Sequence, residues 1–416
     1  MSEQLTVRQV ANKAAEAMIA MGQSPISVWR CFYPCCVKIV HFHERKRVEY
    51  YDPQITAEYV AAMKTRFDNG DLSRFQHNFF RKTAERMDEV FLTGRIQWSV
   101  RSRHKREPLN QFFSGLHMEY LQSNDFHSNT REDVSWVIHK HLLWLMKKGY
   151  ADLSTITEHD IGAYISHCAK KLCPGSLRNL VAYTHKFYDF LKAKGETDIA
   201  YEKFLSISIR RPEKIQAPAT PNEVEAVLAQ INRATPQGKR DYAAILLGAR
   251  MGMRAADIVC LKLLDIDWKG NQIGIVQQKT GEFLLLPMPT EVEEALKEYI
   301  LRIRPKTEYE QVFLRAQAPF QPLAAGSSLG YLYDSYLQKA GFERKAFDGK
   351  GFHALRRMLG KEMTVAGVPI NTVAQVLGHK NLNSAKQYIS LGTVHLKECA
   401  LDFKGIEVSG GRDYDE

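Results

Sequence analysis

Residues His353–Tyr388 read HALRRMLGKEMTVAGVPINTVAQVLGHKNLNSAKQY. Apolar residues recur at helical spacing from His353 to Ala366 and from Ile370 to Leu377, with Gly367 and Pro369 between the two runs. The stretch therefore predicts two helices joined by a tight turn. His353 and Arg356 stand one helical turn apart. Gly378 ends the second helix and leaves His379 just beyond it. Tyr388 follows nine residues later, in a last helical segment.

Upstream, Thr220-Pro221-Asn222-Glu223 is a capping box with proline at the first helical position. Helices are expected to about Gln230, from Lys239 to about Arg250, and from Met253 to Leu261. Within the last, Arg254 and Asp257 fall at i and i+3 on one helical face. The period then changes to two. Gln272–Gln277 and Phe283–Met288 read as strands flanking the turn Lys279-Thr-Gly-Glu282, with Lys279 at the hairpin tip. Helices return from Thr290 to Arg302 and from Leu329 to Ala340. A short amphipathic tail, Val394–Phe403, places Leu396, Cys399, Ala400 and Phe403 on one face.

Two helical blocks precede this region, at 1–100 and 118–205. In the second, a helix from Thr130 to Lys148 carries Val134, Val137, Ile138, His141, Leu142 and Leu145 on one face and stops at Gly149. Thr157 caps a short helix, and a third runs from Ser176 to Lys194, ending at Gly195. The first block echoes this with a helix around Trp29, the segment Ile55–Val60, and a helix ending Phe91-Leu92-Thr-Gly94. The two are either distant repeats or helical bundles that look alike at this level. Basic, proline-marked segments at Arg101–Pro108 and Ile209–Pro218 separate the blocks.

The 416 residues suggest two or three domains, and 44% hydrophobic with 25% charged residues rules out a collagen or a wholly disordered chain. Lys and Arg number 57 against 47 Asp and Glu, a net charge of +10, which points to a polyanion and first to nucleic acid. Seven cysteines at irregular spacing form no disulfide framework and suit a reducing cytosol. Met1–Val7 is polar with no apolar run behind it, and nothing approaches a membrane span, so a soluble intracellular protein is expected.

Other chemistries are weaker readings. Gly274 and Lys279-Thr280 brush against a P-loop but lack its second glycine and its strand-to-helix context. Cys31, Cys35, Cys36, His41 and His43 have zinc-ligand residue types, but the apolar residues among them favour a buried helix. Met363–Leu377 has a helix-turn-helix look. No carboxylate cluster suited to a two-metal nuclease is evident.

Singly, an Arg three before an Asp, a hairpin Lys or a helical Tyr is ordinary. In the order Arg254, Lys279, His353, Arg356, His379, Tyr388, this chain resembles the tyrosine recombinases, the phage-integrase family. The resemblance covers residues 220–400 by motif and 118–205 as the helical core-binding domain. It implies a mainly α fold with a small β-hairpin or sheet in the catalytic domain, in three parts. These are an N-terminal helical region at 1–100 of unassigned role (a DNA-binding module is one option), a SAM-like core-binding domain at 118–205, and a catalytic domain at 220–416.

The implied reaction is site-specific cutting and rejoining of DNA through a covalent 3′-phosphotyrosine. Tyr388 would be the nucleophile. Arg254 and Arg356 would clamp the phosphate oxygens, with charges that persist throughout. Lys279 would protonate the departing 5′-oxygen, His353 would help handle the nucleophile's proton, and His379 would bond the scissile phosphate. Asp257 stands where the family usually has a Glu that buttresses the site. Met251, Arg357 and Ser384 replace a usual Thr, His and Thr.

The same resemblance implies no cofactor and no metal, double-stranded DNA as partner, a tetramer on paired sites, accessory or directionality factors, and a cytoplasmic, nucleoid-associated location. Arg210, Arg211 and Lys214 lie where the inter-domain linker would meet DNA phosphates. The alternatives are a type IB topoisomerase that relaxes DNA and a non-catalytic DNA-binding protein on the same fold.

Overall fold

The computed structural model describes residues 5–98, 106–126, 128–209, 216–324, 327–345, 348–381, 385 and 388. It divides into two compact units, one of Met1–Trp98 with Ile215–Glu416, the other of Ser99–Lys214.

The first unit opens with a helical bundle: α1 (Val7–Ala20), a turn α2 (Pro25–Ser27) that runs through a π segment into α3 (Tyr33–Arg45), α4 (Pro53–Asp68) and α5 (Arg74–Thr93). The sequence reading passed over α1, whose small core face of Ala11, Ala14 and Ala15 gives a weak periodic signal. All three are buried. Their size lets α1 lie close against α3 and α5. Cys35, Cys36 and His43 are buried while Cys31 and His41 face outward, so the cysteine and histidine cluster is split between two faces, as a core helix requires.

The second unit consists of α6 (Gln111–Gln122), α7 (Ser128–Lys147), α8 (Glu158–Ala169), α9 (Pro174–Ala193) and a short α10 (Glu202–Leu205). The six residues expected on one face of α7 are all buried, and pack with Phe113, Leu116 and Tyr120 of α6. α6 starts ahead of residue 118, where the block was expected to begin, and is capped by Asn110, whose side chain accepts from Phe113 N–H. At the start of α8 the N–H and the hydroxyl of Thr157 both donate to the Asp160 carboxylate, at 2.9 and 2.7 Å.

The remainder of the first unit holds α11 (Pro221–Ala229), α12 (Pro236–Met251), α13 (Ala255–Cys260), β1 (Ile266–Asp267), β2 (Gln272–Val276), β3 (Phe283–Pro287), α14 (Thr290–Arg302), α15 (Ser327–Lys339), α16 (His353–Val365) and α17 (Ile370–Val376). The strands form an antiparallel sheet in the order β1-β2-β3, with Ile273 paired to Leu286. α12 is the central helix, buried from Ala243 to Ala249 and packed on α14 and α16. A Cβ at Gly248 would lie 2.6 Å from the Phe352 ring, so the missing side chain is what admits the start of α16. The buried carboxylate of Asp241 accepts from Arg240 (2.6 Å) and from the Tyr336 hydroxyl (2.9 Å), which satisfies a charge that would otherwise be costly there.

Candidate active site

α12 ends at Gly252, whose φ of +64° is left-handed, and Met253 N–H donates back to Leu247 O. This closure takes up the residues just before Arg254. Arg254 is therefore the extended N-cap of α13 rather than a residue inside a helix from Met253, as the sequence had suggested. The carboxylate of Asp257 in the first turn lies 3.8 Å from Arg254 Nη1, so the two meet across the cap.

Arg254 Nη2 donates to Gly378 O at 3.3 Å. Arg356, on α16 and 2% exposed, donates through Nη1 to Gly252 O at 2.8 Å and through Nη2 to Leu377 O. The turn after α17 thus receives both guanidiniums, and Gly378, at φ +57°, provides the left-handed residue that this turn needs. Burial and the neighbouring Arg254 push Arg356 down to about 10, which leaves it cationic near neutral pH.

His379 emerges from this turn and lies parallel to Tyr388, with ring centroids 5.9 Å apart and planes 7° apart. Tyr388 is buried, and burial raises its phenol pKa against the pull of Arg356, Arg357 and Arg254. Burial, Arg356, Arg254, His353 and Lys279 push His379 down to about 4. His353 is also pushed down to about 4, by the protein packed around it and then by Arg356, Arg357, Arg254 and Lys279. Its side is open to solvent, so water offsets part of the first effect and the cations matter more. Both imidazoles are neutral near pH 7, each with one donor and one acceptor nitrogen.

Lys279 lies exposed in the turn between β2 and β3, and its charge reaches both histidines. All six residues singled out by spacing therefore gather around one turn. Of eight buried side-chain polar atoms without a hydrogen-bond partner among the described residues, three gather here: Arg254 Nη1, His379 Nδ1 and Tyr388 Oη. Buried polar atoms are nearly always paired, so three unpaired ones here suit the site of a polar ligand. Two fixed cations, a phenol and two neutral imidazoles can together stabilise an anion, attack it and move its protons.

Two residues that spacing could not identify, Gln277 and Gly360, complete the site, and Asp257, singled out beside Arg254, has a second contact there. Asp257 Oδ1 accepts from Gln278 N at 2.9 Å, so the carboxylate braces the Lys279 turn as well as Arg254. Gln277 is buried with its amide against Gly378. Gly360 faces the Tyr388 ring, where a Cβ would come within 2.8 Å of Cε1. Only the G in HALRRMLG hinted at the last. Arg357 points away from this centre and donates to Ala217 O (3.3 Å), Gln216 Oε1 (3.1 Å) and Gly349 O, fixing the chain that leads into α11. Arg210, Arg211, Lys214, Ser384 and the tail Val394–Phe403 lie outside the described residues. No helix among the described residues is long and apolar enough to cross a membrane.

Residues 219–394 match the phage integrase family model. A protein named integrase/recombinase y4rA from Sinorhizobium fredii (strain NBRC 101917 / NGR234) is 36% identical over 44% of this chain, which spans 44% of that protein's length. From the same strain, integrase/recombinase y4gC is 33% identical over 45% of this chain and 96% of its own. Among solved structures, the XerH site-specific recombinase, bound to its palindromic difH substrate after cleavage, has the same fold with a TM-score of 0.54 at 13% identity, over 97% of this chain and 98% of that one. With the site's geometry and a relative matched over nearly its whole length, the chain belongs to the phage integrase family of tyrosine recombinases.

Proposed function

We propose that this chain is a site-specific DNA recombinase that cuts and rejoins duplex DNA, with the roles of the site residues as follows. Tyr388 Oη attacks the scissile phosphorus. The Oη–P bond forms as the P–O5′ bond breaks, leaving a 3′-phosphotyrosine and a free 5′-hydroxyl. The phenol proton passes to neutral His353, directly or through water, and the 5′-oxygen takes its proton from the Lys279 ammonium. Arg254 and Arg356 hold the non-bridging oxygens, and His379 donates to one of them. Rejoining is the reverse, with another 5′-hydroxyl as attacker, so the phosphodiester energy is conserved.

The convergence of Arg254, Arg356 and the His379–Tyr388 stack on the turn after α17 is the observation that carries this reading. The partner is double-stranded DNA. Assembly as a tetramer on paired sites, use of accessory factors, and residence with the nucleoid belong to the same proposal; a lambda integrase tetramer on a Holliday junction is a structural neighbour. Integration, excision or transposition of a mobile element is the process such chemistry serves.

The test is a nicked duplex carrying the native site, incubated with the protein and run on an SDS gel. A covalent protein–DNA band is expected, in excess EDTA as well. It should vanish in Tyr388→Phe while DNA binding persists. A band that survives in Tyr388→Phe removes the nucleophile assignment.

A further inference from the structure

Lys279 sits on an exposed turn, yet a general acid must be held within hydrogen-bond reach of one oxygen. Two contacts restrain that turn. On one side Gln278 N donates to Asp257 Oδ1 at 2.9 Å. On the other, Gln277 is 1% exposed; its Oε1 accepts from the Thr280 hydroxyl at 2.8 Å, and its N–H donates to Glu282 O. The Gln277 amide also packs on Gly378: a Cβ there would fall 2.1 Å from Nε2, 2.7 Å from Cδ and 2.8 Å from Oε1.

The contacts close into a circuit. Gln277 bears on Gly378, and Gly378 O receives Arg254 Nη2. Arg254 Nη1 faces Asp257 Oδ2, and Asp257 Oδ1 returns to the Lys279 turn. We infer that Gln277 is a positioning residue for Lys279: through Thr280 it fixes the turn that carries the lysine, and through Gly378 it registers that turn against the guanidinium and histidine that hold the phosphate. A buried side-chain amide suits this role, because its Oε1 takes a hydrogen bond from within the turn and it adds no charge beside Lys279. Apolar packing on Gly378 alone would leave Thr280, and with it the lysine, free to swing.

The inference rests on Lys279 as general acid and Tyr388 as nucleophile, and the experiment separates the two levels. Single-turnover adduct formation is measured on a duplex with an ordinary phosphodiester and on one with a 5′-bridging phosphorothiolate, whose thiolate leaving group needs little proton assistance. Lys279→Ala should lose roughly 10²-fold or more on the first and be largely rescued on the second. Gln277→Leu, of similar size, should show the same pattern at lower amplitude, about tenfold against less than about threefold, and Gln277→Leu with Lys279→Ala should be no slower than Lys279→Ala alone. Thr280→Val removes only the hydroxyl and should follow Gln277→Leu; it decides the matter if Gln277→Leu does not fold.

Equal losses on both substrates for Gln277→Leu and Thr280→Val, with Lys279→Ala rescued as expected, overturn the positioning role alone. Failure of Lys279→Ala to be rescued, or adduct formation by Tyr388→Phe, overturns the underlying reading and the inference with it.

Discussion

Arg254 and Arg356, remote in sequence, one capping α13 and the other within α16, donate to adjacent carbonyls of one turn: Arg254 to Gly378 O and Arg356 to Leu377 O. Each guanidinium thereby spends one nitrogen on fixing the other's surroundings. The pair is preorganised, so the proposed role on a phosphate would need little rearrangement as charge develops.

Lysine substitution separates charge from geometry here, since an ammonium keeps the charge but cannot bridge a carbonyl and a phosphate as a planar fork does. Arg254→Lys and Arg356→Lys are each expected to slow adduct formation by roughly 10²–10³-fold, while DNA affinity changes little. Arg356→Lys should also lower the unfolding temperature more than Arg254→Lys, because Arg356 serves two buried carbonyls, Gly252 O and Leu377 O. Equal thermal shifts would show that the two Arg356 bonds add no more stability than the single Arg254 bond to Gly378 O.

Gly360→Ala tests the seat of Tyr388. The position is helical, where alanine by itself favours the helix by about 1 kcal/mol. Here its Cβ would lie 2.8 Å from the tyrosine ring. Adduct formation should fall steeply, with the backbone of α16 intact by circular dichroism and DNA binding retained. A variant as active as the parent would mean that Tyr388 reaches its phosphate from another position.

The catalytic half was legible in the sequence because its chemistry requires fixed residue types at fixed spacing on strongly periodic helices; α14 was read to the residue, Thr290–Arg302. What escaped was geometry made by backbone closure and by long-range packing. Arg254 was read as helical because local spacing cannot show that Gly252 and Met253 close the preceding helix. β1, two residues long, carries no period. Gln277 is a plain polar residue at a strand end until Gly378, distant in sequence, is brought against it. Asn110 opens α6 with a side-chain bond to Phe113 N that only the folded loop reveals.

The core of the second unit should be acid-sensitive. His141 is fully buried, its Nε2 2.9 Å from the Tyr188 hydroxyl, and burial pushes it down to about 3; burial, His139 and Arg106 push His117 down to about 4. Both values lie below the unfolded value of about 6.5. Between these limits the unfolded chain binds protons that the folded unit does not, so the stability is present above about pH 6.5 and is lost as pH falls through the window below it. Urea unfolding near pH 7.5 and near pH 5, followed by hydrogen exchange in α7 and α9, should show a larger acid loss in the parent than in His141→Gln. The same loss in both would remove His141 as its source.

The N-terminal bundle gives the last prediction. The bundle within residues 1–100, for which DNA binding is one option, shares one compact unit with the catalytic segment. Gln23 Nε2 donates to Ala318 O at 2.7 Å. Met21 and Arg95–Trp98 face Tyr309, Pro319 and Gln321 across a cleft of about 460 Å³. Trp98 is held on the bundle side by Arg86 over its ring (4.9 Å) and by its indole N–H on Met21 Sδ (3.1 Å). A bundle fixed in this way travels with the catalytic segment rather than as a free arm. A Cβ at Gly22 would lie 3.6 Å from Ala318 Cβ, within the range that a disulfide spans. Gly22→Cys with Ala318→Cys should therefore oxidise to an intramolecular bond, seen as faster migration on a non-reducing gel, and the bonded protein should still form the Tyr388 adduct. The Gly22→Cys single variant, strained at φ +92°, serves as the stability control. If the thiols stay reduced in a double variant that is as folded as this control, the bundle is not held at the catalytic segment, and the free-arm reading takes its place.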